Sequence, residues 1–177
     1  SKDVSLKYFG TESTLDTTVL AHYAFEGDLT DESSYNRDLT EDSGSDITYS
    51  ATDNQSNKSG QAAWFNGSNT YAYTDNITVG DNFTIAFWVK PDSTSMGQWD
   101  SAFSTGDSTT NGRFQIDYSG SNEVRFSVSG STLTTGLNAD AWNHIVIAKT
   151  DSTENLTIRM YTDGIEQDND SQITTLW

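Results

Sequence analysis

DNFTIAFWVKP, residues 81–91, decides how the rest of the chain is read. Phe83, Ile85, Phe87 and Val89 point one way and Thr84, Ala86, Trp88 and Lys90 the other, the two-residue period of a strand. The first set is apolar enough for a core. The second carries Ala86 and Trp88, so this strand is expected either to be covered on both sides or to present an aromatic ring to a groove. Pro91 ends it, because proline has no N–H for a sheet ladder. A central strand of a sandwich fits best.

Similar periods recur on either side. Toward the C-terminus come Ala102–Ser104, Arg113–Tyr118 and Glu123–Val128, the last two ended by Gly120 and Gly130. Ala141–Thr150, AWNHIVIAKT, is apolar on both faces and reads as a second central strand. Leu156–Thr162 alternates again, and Asp163-Gly164 is the strongest two-residue hairpin signal in the chain. Toward the N-terminus, Val19–Phe25, VLAHYAF, reads as a strand, and Gly60–Ser68 followed by Asn69–Thr74 reads as a hairpin around Asn66-Gly67, with Tyr71 and Tyr73 on one face. Between Val19–Phe25 and Gly60 lies EGDLTDESSYNRDLTEDSGSD, residues 26–46, an acidic loop with almost nothing to bury. A loop of that length in a compact domain is usually functional or disordered. No apolar period of 3.6 persists, so the chain is expected to be an all-β sandwich or barrel.

The 177 residues suffice for one such domain. Residues 1–18, with the alternating piece Val4–Phe9, are expected to be an N-terminal strand or linker, and residues 19–177 the domain proper. Nine Lys and Arg face 26 Asp and Glu, a formal net charge of −17, so nucleic acid and anionic membranes would be repelled. Neutral ligands and cations remain open. With no cysteine, no disulfide stabilises the fold. Ser1 opens a polar stretch and no apolar run approaches the roughly 20 residues of a spanning helix, so neither a signal peptide nor membrane insertion is expected.

Five segments in order carry a resemblance to a known family: VLAHYAFEGDLTDESS (19–34), GQAAWFNGSNTYAY (60–73), FTIAFWVKP (83–91), WNHIVIAKT (142–150) and IRMYTDG (158–164). They resemble the laminin G-like domains of the concanavalin A-like lectin and glucanase superfamily. That resemblance implies an antiparallel jelly-roll β-sandwich. It also implies further strands after Gly164; either these are missing from the chain or Val4–Phe9 fills one of their places.

The resemblance implies a structural calcium site in the acidic loop, with Asp31 the leading ligand and Asp28, Glu26, Ser33 and Asn36 beside it. Ca²⁺ takes six to eight oxygens, which a loop can wrap around it. The competing reading is a solvated acidic loop. A second constellation lies on loops expected at the sandwich rim: Asp75 and Asn76; Gln98, Trp99 and Asp100; Asp107; Arg113; Asn138 and Asp140. A sugar needs planar hydrogen-bonding groups for its hydroxyls and an aromatic face for its C–H side, and these residue types supply both. Trp99 is the leading residue of that set, against the alternative that it folds back over the core. Trp64, Trp88 and Trp142 lie in strands and are expected in the core.

Enzymatic readings find little to rest on. The Glu-x-Asp-x-x-Glu spacing carried by glucanases of this fold is absent, and His22 and His144 sit in strands beside core residues, where a structural histidine is the simpler reading. The expected function is a non-catalytic, calcium-assisted carbohydrate-binding module, monomeric; the resemblance of acidic, cysteine-free laminin G-like domains to the ligand-binding modules of large bacterial adhesins implies an extracellular or cell-surface setting, in a bacterial adhesin or secreted multidomain protein. Its expected partner is a glycan, a polysaccharide or a cell-surface glycoprotein. The alternatives are a protein-interaction or spacer domain without sugar binding, and a diverged glycoside hydrolase or lyase.

Overall fold

The computed structural model describes residues 3–5, 19–44, 46–51, 60–66, 69–75, 77–80, 82–91, 101–104, 114–118, 123–128, 131–152 and 155–170. They hold no helix. The strands are β1 (Asp3–Ser5), β2 (Thr40–Glu41), β3 (Thr48–Ser50), β4 (Ala62–Trp64), β5 (Ala72–Tyr73), β6 (Phe83–Lys90), β7 (Ser101–Ser104), β8 (Phe114–Tyr118), β9 (Glu123–Val128), β10 (Ser131–Gly136), β11 (Asn143–Ser152), β12 (Asn155–Thr162) and β13 (Ile165–Asp170).

The expected central strand is central. β6 lies between β1 and β11 in an antiparallel sheet of order β1-β6-β11-β12-β13, and a second sheet runs β10-β9-β8-β7. Ile85, Phe87 and Val89 of β6, Ile145 and Ile147 of β11, and Ile158 and Met160 of β12 are all buried on one face. They pack with Val124 and Phe126 of β9, Leu133 of β10 and Leu137 beyond it, which makes the core of a β-sandwich. Each such side chain contributes about 1.5–3 kcal/mol by leaving water. Alternation puts Trp88 and His144 opposite each other on the outer face, half-buried, with ring centroids 4.8 Å apart. Lys149 shares the inward face of β11 at its far end and is buried there, its ammonium 6.0 Å from the Phe83 ring centroid.

Turn chemistry explains two connections. Asp163 and Gly164 have φ of 51° and 81°, the two positive values that a tight two-residue turn of the hairpin type requires, and they join β12 to β13 as expected. Between β10 and β11 the chain is held by Asn143, which is completely buried. Its Oδ1 accepts from the Asn138 N–H at 2.8 Å, and its Nδ2 donates to the carbonyls of Ala141 at 2.8 Å and Asn138 at 3.0 Å. Asn143→Ala leaves those groups without their partner inside the protein. We expect a loss of about 2–4 kcal/mol, read from the urea midpoint, whereas an exposed neighbour such as Thr150→Ala should stay within about 0.5 kcal/mol.

Several expectations change. Val19–Phe25 is not a strand: Tyr23 makes one isolated bridge, to Asp31, and Phe25 has a φ of 56°. The segment still buries Tyr23 and Phe25, in a second apolar cluster with Ile47 and Ala63. Leu29 and Leu39 of the acidic loop pack against that cluster, so the loop does bury apolar surface. The hairpin expected between residues 60–68 and 69–74 does not form, because β4 pairs with β3 and β5 with β2. Trp64 is 37% exposed rather than core. β10, SerThrLeuThrThrGly, had no apolar period to betray it. Among its described side chains Leu133 and Thr135 are buried, and Thr135 makes a 2.8 Å hydroxyl pair with Thr162.

Candidate ligand-binding site

The acidic loop is built on one carboxylate. Asp31 is 3% exposed, and each of its oxygens accepts two hydrogen bonds. Oδ1 accepts from the His22 N–H at 2.8 Å and the Ser33 N–H at 2.9 Å; Oδ2 accepts from the Ser33 hydroxyl at 2.7 Å and the Arg37 N–H at 2.8 Å. Its own N–H donates to Asp38 at 2.8 Å. Burial by itself would raise the Asp31 pKa, but the bonds donated by His22, Arg37 and Ser33 outweigh it and hold the carboxyl below its ordinary value. Arg37 continues the network: its guanidinium donates to the Leu20 carbonyl at 2.6 Å and lies over the Tyr35 ring, 4.4 Å from the centroid. The Tyr23 hydroxyl donates to the Arg37 carbonyl, and burial together with the nearby Asp31 charge pushes its pKa up to about 12.

This geometry does not fit the calcium site expected at Asp31, Asp28, Glu26, Ser33 and Asn36. A carboxylate offers about four acceptor positions, and all four of Asp31's are taken by protein donors. The Ser33 hydroxyl both donates to Asp31 and accepts from the Tyr35 N–H. Asp28 accepts from Thr30 N–H in a local turn, Glu26 accepts from Gln61 N–H at 2.6 Å, and Asn36 is an exposed turn residue with a φ of 52°. Among the described residues no three Asp, Glu or His side chains gather around a common point. The loop is organised by hydrogen bonds to its own backbone.

What the loop positions is the ribbon of β2 and β5. Thr40 stands opposite Tyr73 and Glu41 opposite Ala72, and one step further the Asp42 N–H donates to the Tyr71 carbonyl at 3.2 Å. Side chains alternate between faces, so Glu41 and Ala72 share one face while Thr40, Asp42, Tyr71 and Tyr73 share the other. Ala72 packs against the second cluster, and Glu41 accepts from the Ile47 N–H at 2.6 Å. The opposite face is therefore directed to solvent. Tyr71 and Tyr73 are 51% and 53% exposed, with ring centroids 6.4 Å apart and planes tilted by 38°. The Tyr71 pKa is raised, chiefly because its hydroxyl bonds to Asp42.

The ribbon's end is braced. Asn66 Oδ1 accepts from the Asn69 and Thr70 N–H groups, and the Asn69 amide donates to the Gly44 carbonyl at 2.9 Å, tying the turn before β5 to the turn after β2.

Of the rim residues, Asp75 lies exposed two positions past Tyr73, next to this ribbon in the chain. Asn138 is exposed on the β10–β11 connection, and Asp140 on the same connection donates its N–H to the Pro91 carbonyl at 3.0 Å. Asn76, Gln98, Trp99, Asp100, Asp107 and Arg113 lie outside the described residues. Sequence reasoning put Tyr71 and Tyr73 on one face without reading them as a site. The signal was the Tyr-Ala-Tyr alternation, whose small central residue marks the packed side. Asp42 was hidden within the acidic run.

The described residues thus form an antiparallel β-sandwich that presents an exposed aromatic pair, a scaffold of lectin type. The family model of the laminin G type within the concanavalin A-like lectin/glucanase superfamily matches residues 65–177, and the chain belongs to that family. No match was found among curated proteins or among solved structures. Tyr71 and Tyr73 fall inside the matched residues, whereas Asp31 and β2 precede them.

Proposed function

We propose that this chain is a non-catalytic carbohydrate-binding module. Lectin-type laminin G-like domains are in general non-catalytic, and the observation that carries the carbohydrate reading is the Tyr71–Tyr73 pair. Two rings half open to solvent, on a ribbon anchored on its other face by Ala72 against the second cluster, offer a fixed aromatic surface for the C–H faces of sugar rings. Fixing costs little on binding, because tyrosine has few rotatable bonds and the ribbon is braced beforehand. In this reading the histidines are structural: His22 Nδ1 lies 3.3 Å from the Glu32 carboxylate, and His144 is packed against Trp88. An extracellular or cell-surface setting is part of this proposal and accords with the acidic composition.

A glycan array probed with the labelled chain tests this. The wild type is expected to retain a defined set of glycans, and Tyr71→Ala and Tyr73→Ala each to weaken that binding about tenfold while leaving the urea midpoint nearly unchanged. Since the Asp31 carboxylate is occupied by protein donors, binding should persist in chelator. A blank array for the wild type would overturn the proposal and favour a protein-interaction or spacer domain.

A further inference from the structure

We infer that the tyrosine ribbon selects neutral, hydroxyl-rich glycans and rejects acidic ones, with Asp42 as the specificity-determining residue. This rests on the carbohydrate-binding reading above and adds the ligand's chemistry to it. The argument is one of donors, acceptors and charge. On the exposed face, Asp42 stands across from Tyr71 and Thr40 across from Tyr73. An ionised carboxylate only accepts hydrogen bonds. On that face Asp42 sits beside Tyr71, held there by its N–H donating to the Tyr71 carbonyl at 3.2 Å. A ligand meeting the Asp42 carboxylate must therefore bring the protons, which sugar hydroxyls do.

Charge points the same way. The two ribbon segments and their continuations, residues 38–46 and 69–76, contain Asp38, Glu41, Asp42, Asp46 and Asp75 and no Lys or Arg. Glu41 is turned to the packed face by its bond to Ile47, but it remains an anion on the same two-residue strand. A uronic acid or a sulfated sugar placed across the rings would bring its charge beside Asp42 with no cation on the ribbon to offset it, and like charges at close range in a partly desolvated contact are strongly unfavourable. The ring spacing sets the footprint: centroids 6.4 Å apart, one strand repeat, give each ring its own contact along a chain of sugars.

The test is affinity electrophoresis of the whole chain through gels carrying a neutral galactomannan, a neutral β-glucan or polygalacturonate, run at 0.15 M salt. There the screening length is about 8 Å, so the molecule's distant charges are muted and the ribbon's own charges decide. The wild type is expected to be retarded by at least one neutral polymer and not by polygalacturonate. Asp42→Asn keeps the shape but weakens the charge-assisted bond; it should reduce neutral-polymer affinity about tenfold and narrow the preference over polygalacturonate. Tyr73→Ala should weaken retardation by the neutral polymer about tenfold. If polygalacturonate retards the wild type as strongly as the neutral polymers and Tyr73→Ala weakens it to the same extent, the carbohydrate reading stands and this inference fails. An Asp42→Asn chain indistinguishable from wild type in every gel also overturns it. If no polymer of either kind retards the wild type, both fall together.

Discussion

Asp31→Ala should destabilise the chain by about 3–5 kcal/mol, comparable to breaking a buried, fully hydrogen-bonded charge network. The change removes the acceptor for three backbone N–H groups, those of His22, Ser33 and Arg37, and for the Ser33 hydroxyl. Backbone donors cannot rotate away to find water as a side chain can, and each stranded one costs about 1–3 kcal/mol. Asp31→Asn should lie between, since an amide keeps one oxygen acceptor but presents an NH₂ to donors. The measurement is a urea unfolding curve with tyrosine and tryptophan fluorescence, and a midpoint unchanged by Asp31→Ala would show that the loop does not depend on this carboxylate.

The same residue makes a pH prediction with a definite sign. Its folded pKa lies below the ordinary value of 3.8. Its contribution is therefore fully present above that value and is lost as pH falls through the lower, folded value. The wild type should lose stability across that acidic window more steeply than Asp31→Ala. Parallel profiles for the two would refute the assignment.

Phe87→Ala is the second large effect, expected at about 3–5 kcal/mol. Phe87 is 1% exposed at the middle of β6, opposite Ile145, and packs in the cluster that joins the two sheets. Removing the ring forfeits its transfer energy and opens a cavity that neighbouring strands, held in register on both sides, can close only in part. Set against a domain stability of about 5–15 kcal/mol, this is enough to bring unfolding near working temperature. Phe87→Leu, which keeps most of the volume, should cost markedly less, and equal losses from the two variants would mean the site is not tightly packed. Thermal and urea unfolding distinguish these outcomes.

Some of the architecture was legible because it is written in short-range pattern. The inward set of β6 follows from alternation alone, and the turn at Asp163-Gly164 follows from two residues that accept positive φ. Glu123–Val128 was read to its observed bounds for the same reason. β10 was illegible, since a Thr-rich strand whose one large apolar residue is Leu133 looks like a polar connection until its partner β9 is beside it. Val19–Phe25 misled in the other direction. Its apolar residues are buried, but the His22 N–H goes to the Asp31 carboxylate rather than to a neighbouring strand.

The candidate site divides along the same line. The acidity of the chain, the Tyr-Ala-Tyr alternation and the lack of a paired-carboxylate spacing were properties of the sequence by itself, and with them an all-β fold. The tertiary structure alone decided that the Asp31 carboxylate accepts three backbone N–H groups, that β5 pairs with β2 and not with β4, and that Asp42 therefore faces Tyr71. The reason is physical: which way a side chain points along a strand is set by the local backbone, whereas which strand or carboxylate satisfies a given N–H is settled only when distant segments close on one another and every buried polar group must find a partner.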